Sequence, residues 1–143
     1  MNPFKPQRPD FKQAVVAFHQ HTPFALQFDI SLDEIEPGRV VASMPMRAEF
    51  VQQTDVAHAG VMATLADIAC GLAAYSLMAE GQNVLSVHFS ISLLRAAAGT
   101  RMKAVGRVVK PGRKLYFTEA EVFAGDDTGE KLVAKASITM AVA

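Results

Sequence analysis

Asp67 is the one residue with a formal charge at neutral pH between Val56 and Ala79, the most apolar stretch of the chain. An unpaired buried carboxylate costs roughly several kcal/mol, so such an acid is paired, hydrogen-bonded or used in chemistry. In an enzyme that use is acid–base or covalent work. The structural alternative is a carboxylate that caps or pairs across a subunit interface, and the residue alone leaves both open. His58 offers a second ionisable group nearby, either as an acid–base residue or, more simply, as a ring that fixes its loop by hydrogen-bonding backbone. Cys70 has no basic neighbour or helix end to activate its thiol and reads as a packing residue. His19 and His21 stand two apart with no third ligand, which makes a poor metal site. No metal and no cofactor is expected. A Gly-x-Ser-x-Gly elbow and a phosphate-binding glycine loop are both missing from the sequence.

The elements that must position these groups follow from periodicity. Asp10–His19 reads as a short amphipathic helix, with Asp10 as N-cap and Phe11, Val15 and Phe18 on one face. Residues 1–9, with three prolines, read as a loose arm. Residues 25–46 read as two strands around the turn Glu36-Pro37-Gly38-Arg39. A long apolar helix spans about 58–79, followed by strands at Val84–Leu94, Thr100–Val109, Leu115–Phe123 and Leu132–Val142. In the first of these, Leu85, Val87, Phe89, Ile91 and Leu93 alternate with Ser86, His88, Ser90 and Ser92. Short connections imply an antiparallel sheet wrapped around the long helix, an α+β fold in one domain, 1–143.

On that helix Asp67 shares a face with Gly60, Ala63, Thr64, Cys70, Gly71 and Ala74, opposite Val61, Leu65, Ile68 and Leu72. The bulky face is expected on the sheet. The small-residue face admits close approach by a ligand, a second helix or both, which implies a homo-oligomer.

Half of the 143 residues are apolar, and 14 Lys+Arg balance 14 Asp+Glu. That balance argues against nucleic acid or anionic membranes as partners. A helix spanning the bilayer would put Asp67 near its centre without flanking Lys or Arg, so burial in a soluble fold is expected. The single cysteine and an N-terminus without an apolar run fit a cytoplasmic protein.

The run Gln52-Gln-Thr-Asp-Val-Ala-His58-Ala59-Gly60-Val-Met-Ala-Thr-Leu-Ala-Asp67 resembles the hotdog-fold acyl-CoA thioesterases, in particular the PaaI-like group related to phenylacetyl-CoA thioesterase. Their signature is Asn or Gln, then His-Gly-Gly, then Asp or Glu in the central helix. Gln52, Ala59 and Asp67 match it at offsets of seven and fifteen. The element order also matches a hotdog with an N-terminal helix, over about residues 10–142. Ser86 falls where many relatives place a Ser or Thr near the attacking water. Lys110-Pro-Gly-Arg113-Lys114-Leu-Tyr-Phe117 resembles the turn whose basic residues approach the CoA phosphates, and Thr128–Ala134 resembles the final hairpin.

The resemblance implies a thioesterase that hydrolyses an aromatic or medium-chain acyl-CoA, working as a dimer or a dimer of dimers. Asp67 would be general base or nucleophile. Gln52 would orient the carbonyl or the water, and its neighbour Gln53 is the equivalent if the loop is shifted by one. The Ala59 N–H would belong to the oxyanion site, backed by the helix dipole, with His58 and Gly60 beside it. In this family the acid and the oxyanion donor commonly come from different subunits. One departure is that His58-Ala59-Gly60 replaces His-Gly-Gly; the backbone donor survives where φ at Ala59 is negative, and the methyl narrows the approach. The alternatives are a non-catalytic acyl-CoA-binding module on the same fold, and a dehydratase, which lacks its His-Phe-Pro motif here.

Overall fold

Apolar residues at every second position of the last three strands dictate a sheet with one buried face. The computed structural model describes residues 2–143 and forms that sheet from six antiparallel strands. These are β1 (Ser31–Glu36), β2 (Arg39–Pro45), β3 (Val84–Leu93), β4 (Arg101–Lys110), β5 (Leu115–Asp126) and β6 (Gly129–Val142), in the order β1-β2-β4-β5-β6-β3. Met102, Ala104 and Val108 of β4, Tyr116, Ala120 and Val122 of β5, and Ile138 and Met140 of β6 are buried on the inner face. There they meet the long helix α3 (Ala59–Tyr75).

Two short helices precede the sheet, α1 (Phe11–Gln20) and α2 (Pro23–Leu26). α1 buries Val15 and His19, and Phe18 stacks on Tyr75 of α3 at 4.2 Å between ring centroids. Asp10 stands at the N-cap position of α1, but its carboxylate is held by Arg8 at 2.7 Å and makes no capping hydrogen bond. The first strand of the 25–46 hairpin begins only at Ser31, because Pro23 starts α2 and Asp29 turns the chain with φ of 53°.

α3 is shorter than the expected 58–79. Ser76 ends it: its hydroxyl donates to Ala73 O at 2.6 Å and accepts from Gly38 N–H at 2.8 Å, tying the helix end to the β1–β2 turn. Leu77 and Met78 stay buried beyond the helix. The arm before α1 is docked rather than loose. Phe4 packs on the core over Gly38, Asn2 Nδ2 donates to Pro37 O, and Gln7 Nε2 donates to Leu77 O at 3.0 Å.

The helix faces also differ from a simple bulky-in, small-out division. Cys70 and Ala74 are fully buried, whereas Ile68 is half-buried. The reason is a close approach between backbones: a Cβ on Gly106 of β4 would lie 2.4 Å from Ala69 C and 2.6 Å from Cys70 N. The small side of α3 therefore presses on the sheet at Gly106, and the stripe through Gly60, Ala63, Thr64, Asp67 and Gly71 retains exposure together with Ile68. Leu65, fully buried in this layer, contributes roughly 1.5–3 kcal/mol by its transfer from water.

Candidate active site

β3 is the edge strand next to β6, and its pairing contains a bulge. Ser86 pairs with Met140 and His88 with Thr139, so Val87 is the extra residue. Directly paired residues share a face. The bulge therefore reverses the phase of the strand: Val84 and Ser86 join Phe89, Ile91 and Leu93 on the α3 side, opposite Val142, Met140, Ile138, Ala136 and Ala134. Unbroken alternation, as read from the sequence, would have sent Ser86 outward.

Ser86 consequently meets Asp67. Its Oγ donates to Asp67 Oδ1 at 2.6 Å and lies 3.2 Å from Met140 Sδ. Asp67 Oδ2 accepts no hydrogen bond among the described residues and is free for water or a ligand. The pair borders a cleft of about 340 Å³. Its apolar walls are Phe18 of α1, Ile68 and Leu72 of α3, Val84 of β3 and Met140 of β6. Two further polar residues stand in the wall on the α1 side, His19 and Thr22.

The remaining candidates gather one subsite away, at the start of α3. The loop 52–56 is closed by the Val51–Ala57 bridge and by Gln52 N–H donating to Val56 O at 2.9 Å. His58 is the N-cap of α3, and its Nδ1 accepts the Gly60 N–H at 2.9 Å. That hydrogen bond occupies the ring with its own loop and leaves the proton on Nε2 in the neutral form. Val61 N–H donates to His58 O, so Ala59 N–H is the amide of this first turn with no partner among the described residues. Positive φ among non-glycine residues occurs at Asp29 and Asp55 and not at Ala59, so the alanine sits without strain. Gln52 and Gln53 are exposed, and Gln52 Nε2 reaches Thr54 Oγ1 at 3.4 Å.

One chain thus brings Asp67 and Ser86 together, and separately Gln52, His58, Ala59 and Gly60. Eight residues of helix, about 12 Å, separate Ala59 from Asp67. Arg113 and Lys114 are exposed in the β4–β5 turn. Cys70 is sealed in the core, where burial pushes its thiol up to about 12, so it is no nucleophile at neutral pH. No group of three His, Cys, Asp or Glu among the described residues is placed to hold a metal ion. Sequence reasoning missed His19 as part of the cleft wall. The signal was present, since His19 follows Val15 by one helical turn and so shares its buried face.

A long apolar helix cradled in a six-stranded antiparallel sheet, with an acid on its open side, is the hotdog architecture. Residues 54–138 match the Thioesterase superfamily, and the chain belongs to that family. It is similar to a thioesterase family protein from Silicibacter pomeroyi, at 36% identity and a TM-score of 0.90 over 92% of this chain and 97% of that one. A thioesterase from Haemophilus influenzae shares the fold at a TM-score of 0.79, with 20% identity over 90% of each chain. A candidate esterase of Saccharolobus solfataricus is 28% identical over 108 residues, 76% of this chain and 74% of that protein. No helix among the described residues is long and apolar enough to cross a membrane.

Proposed function

We propose that the protein hydrolyses an acyl-CoA thioester, with an aromatic or medium-chain acyl group, to the free acid and CoA. The observation that carries this reading is the Ser86–Asp67 hydrogen bond at the mouth of an apolar cleft, which leaves Oδ2 of the carboxylate open. As general base, Oδ2 takes a proton from water while the water oxygen bonds to the thioester carbonyl carbon. The tetrahedral oxyanion then collapses, the C–S bond breaks, and the CoA thiolate recovers the proton from Asp67. As nucleophile, the carboxylate instead forms a mixed anhydride that water opens.

The oxyanion needs donors, and the unpartnered Ala59 N–H at the helix N-terminus suits that role. A carbonyl resting on Asp67 cannot reach an amide about 12 Å along the same helix. We assign that donor, and Gln52 beside it, to a second copy whose helix lies along the Gly60–Asp67–Gly71 stripe. The open edge of β3 supports the homo-oligomer: Leu85 and Val87 are each 58% exposed there, and a second copy can extend the sheet. Dimers of dimers follow the same family pattern. Arg113 and Lys114 are assigned to the CoA phosphates. The sealed, reduced cysteine suits the cytoplasm.

Free-thiol release from a panel of acyl-CoA thioesters tests the reading. Asp67→Asn is expected to lower kcat by about 10²–10⁴-fold while the oligomer persists on size exclusion. Wild-type turnover by that variant, or stoichiometric binding without turnover by the native protein, overturns it in favour of a binding module.

A further inference from the structure

Ser86 Oγ has one proton and two acceptors. It donates to Asp67 Oδ1 at 2.6 Å, and Met140 Sδ stands at 3.2 Å in the geometry of a second hydrogen bond. A single hydroxyl proton serves one of them fully at a time. The sulfur is firmly placed. Met140 is 1% exposed, and it pairs with Ser86 on β3 and with Tyr116 on β5. Its methyl lies under α3, 4.0 Å from where a Cβ on Gly71 would stand. The two acceptors serve different states of the acid. While Asp67 is ionised, Oδ1 is much the stronger acceptor, because hydrogen bonds to charged groups exceed those to neutral ones. A hydroxyl held on Oδ1 also stabilises the anion and so opposes the proton transfer that a general base must make. Once Oδ2 has taken a proton from water, or has been acylated, the charge is gone and that advantage falls away. Met140 Sδ is then the other acceptor within reach of Ser86 Oγ among the described residues.

We propose that Met140 is a positioning residue for the hydrolysis, giving the Ser86 hydroxyl a second acceptor in the steps where Asp67 is neutral. This rests on the thioesterase reading above. The hydroxyl turns about its Cβ–Oγ bond from Oδ1 to Sδ as Asp67 gains the proton, and turns back when the thiolate removes it. No covalent bond to Ser86 or Met140 forms or breaks. The sulfur contact strengthens only as the carboxylate loses its charge, so it lowers the barrier without tightening substrate binding. Its loss therefore lowers kcat rather than raising KM.

A double-mutant cycle with Ser86 tests the role. Met140→Leu removes the sulfur and keeps an apolar side chain of similar volume, a swap that cores tolerate. It is expected to lower kcat about threefold to tenfold with KM unchanged, the size of one net hydrogen bond, and to change kcat little once Ser86 is alanine. Replacing methionine throughout by norleucine, which keeps the unbranched chain and drops the sulfur, should give the same loss in the native protein and no further loss in Met140→Leu. An equal loss with and without the Ser86 hydroxyl, a loss confined to KM, or no loss at all overturns the proposal and leaves Met140 as packing. The methyl carbon NMR signal of Met140, identified by its absence in Met140→Leu, reads the contact without turnover. Asp67→Asn, a neutral stand-in for the protonated acid, should move that signal while Ser86 is present and leave it in place in Ser86→Ala. A signal that moves equally in both, or in neither, also overturns the proposal. If no thioester is cleaved, the thioesterase reading fails by itself and the methyl signal still decides the role of Met140.

Discussion

Ser86 reaches Asp67 at 2.6 Å because it pairs with the inward-facing Met140, and the extra residue that follows, Val87, lets Ser86 and Phe89 share the α3 side. The acid of α3 and the hydroxyl of the edge strand are thereby held by separate elements of the core. The hydroxyl fixes one carboxylate oxygen and so orients the other towards the cleft.

Removing that orientation has a defined cost. Ser86→Ala is expected to lower kcat by about tenfold to a hundredfold, the usual worth of a hydrogen bond to a charged group, with little change in oligomeric state. Deleting Val87 is the companion variant. Ser86 and His88 already pair with the adjacent residues Met140 and Thr139, so the deletion straightens the strand without turning Ser86 away. It should retain far more activity than Ser86→Ala.

Ala59→Pro isolates the proposed oxyanion donor. Proline is favoured at the first position of a helix and removes only the N–H, and His58, at φ −61° and ψ 141°, already has the extended backbone that proline requires before it. The melting temperature should be unchanged or slightly raised while kcat falls by about 10²–10³-fold. Ala59→Gly, in contrast, should keep turnover.

His58 distinguishes capping from proton transfer. Its Nδ1 takes the Gly60 N–H, so His58→Asn should keep the cap and most of the activity, whereas His58→Ala should cost about 1 kcal/mol in urea unfolding. Loss of turnover in a stable His58→Asn would instead assign the ring to acid–base work.

Gly106→Ala should destabilise the protein by about 2–3 kcal/mol, because its Cβ would meet the Ala69 and Cys70 backbone rather than a side chain that can yield. Thermal or urea unfolding gives the figure. Activity should suffer as well, since α3 carries Asp67 and must lift off the sheet.

Cys70 predicts an alkaline limb of stability. Burial raises its thiol from the ordinary 9.0 to about 12, so between those values the unfolded chain loses a proton that the folded chain keeps. The folded state then binds more protons, and stability falls as pH rises from about 9. Cys70→Ala should flatten that limb in urea titrations, and native Cys70 should resist alkylation at neutral pH.

The sequence by itself determined the parts governed by local pattern. Alternation in β4–β6 put Met102, Tyr116 and Ile138 inside, and the isolated charge marked Asp67 as the residue to explain. The spacing of Gln52, Ala59 and Asp67 carried the family resemblance. What tertiary structure decided lay wherever two elements had to agree. The bulge at Val87 depends on the register with β6, which no period along β3 contains, and it lets Ser86 share the Asp67 side with Phe89 and Ile91. The end of α3 at Ser76 depends on the Gly38 N–H, 38 residues away. The docked arm depends on Phe4 finding Gly38. His19 reads as an ordinary helical histidine until α1 closes on α3 and leaves its ring in a cleft wall with an unpaired nitrogen. Local propensity sets each element's faces, but long-range hydrogen bonds and backbone contacts set their phase and ends, and the cleft is built from those.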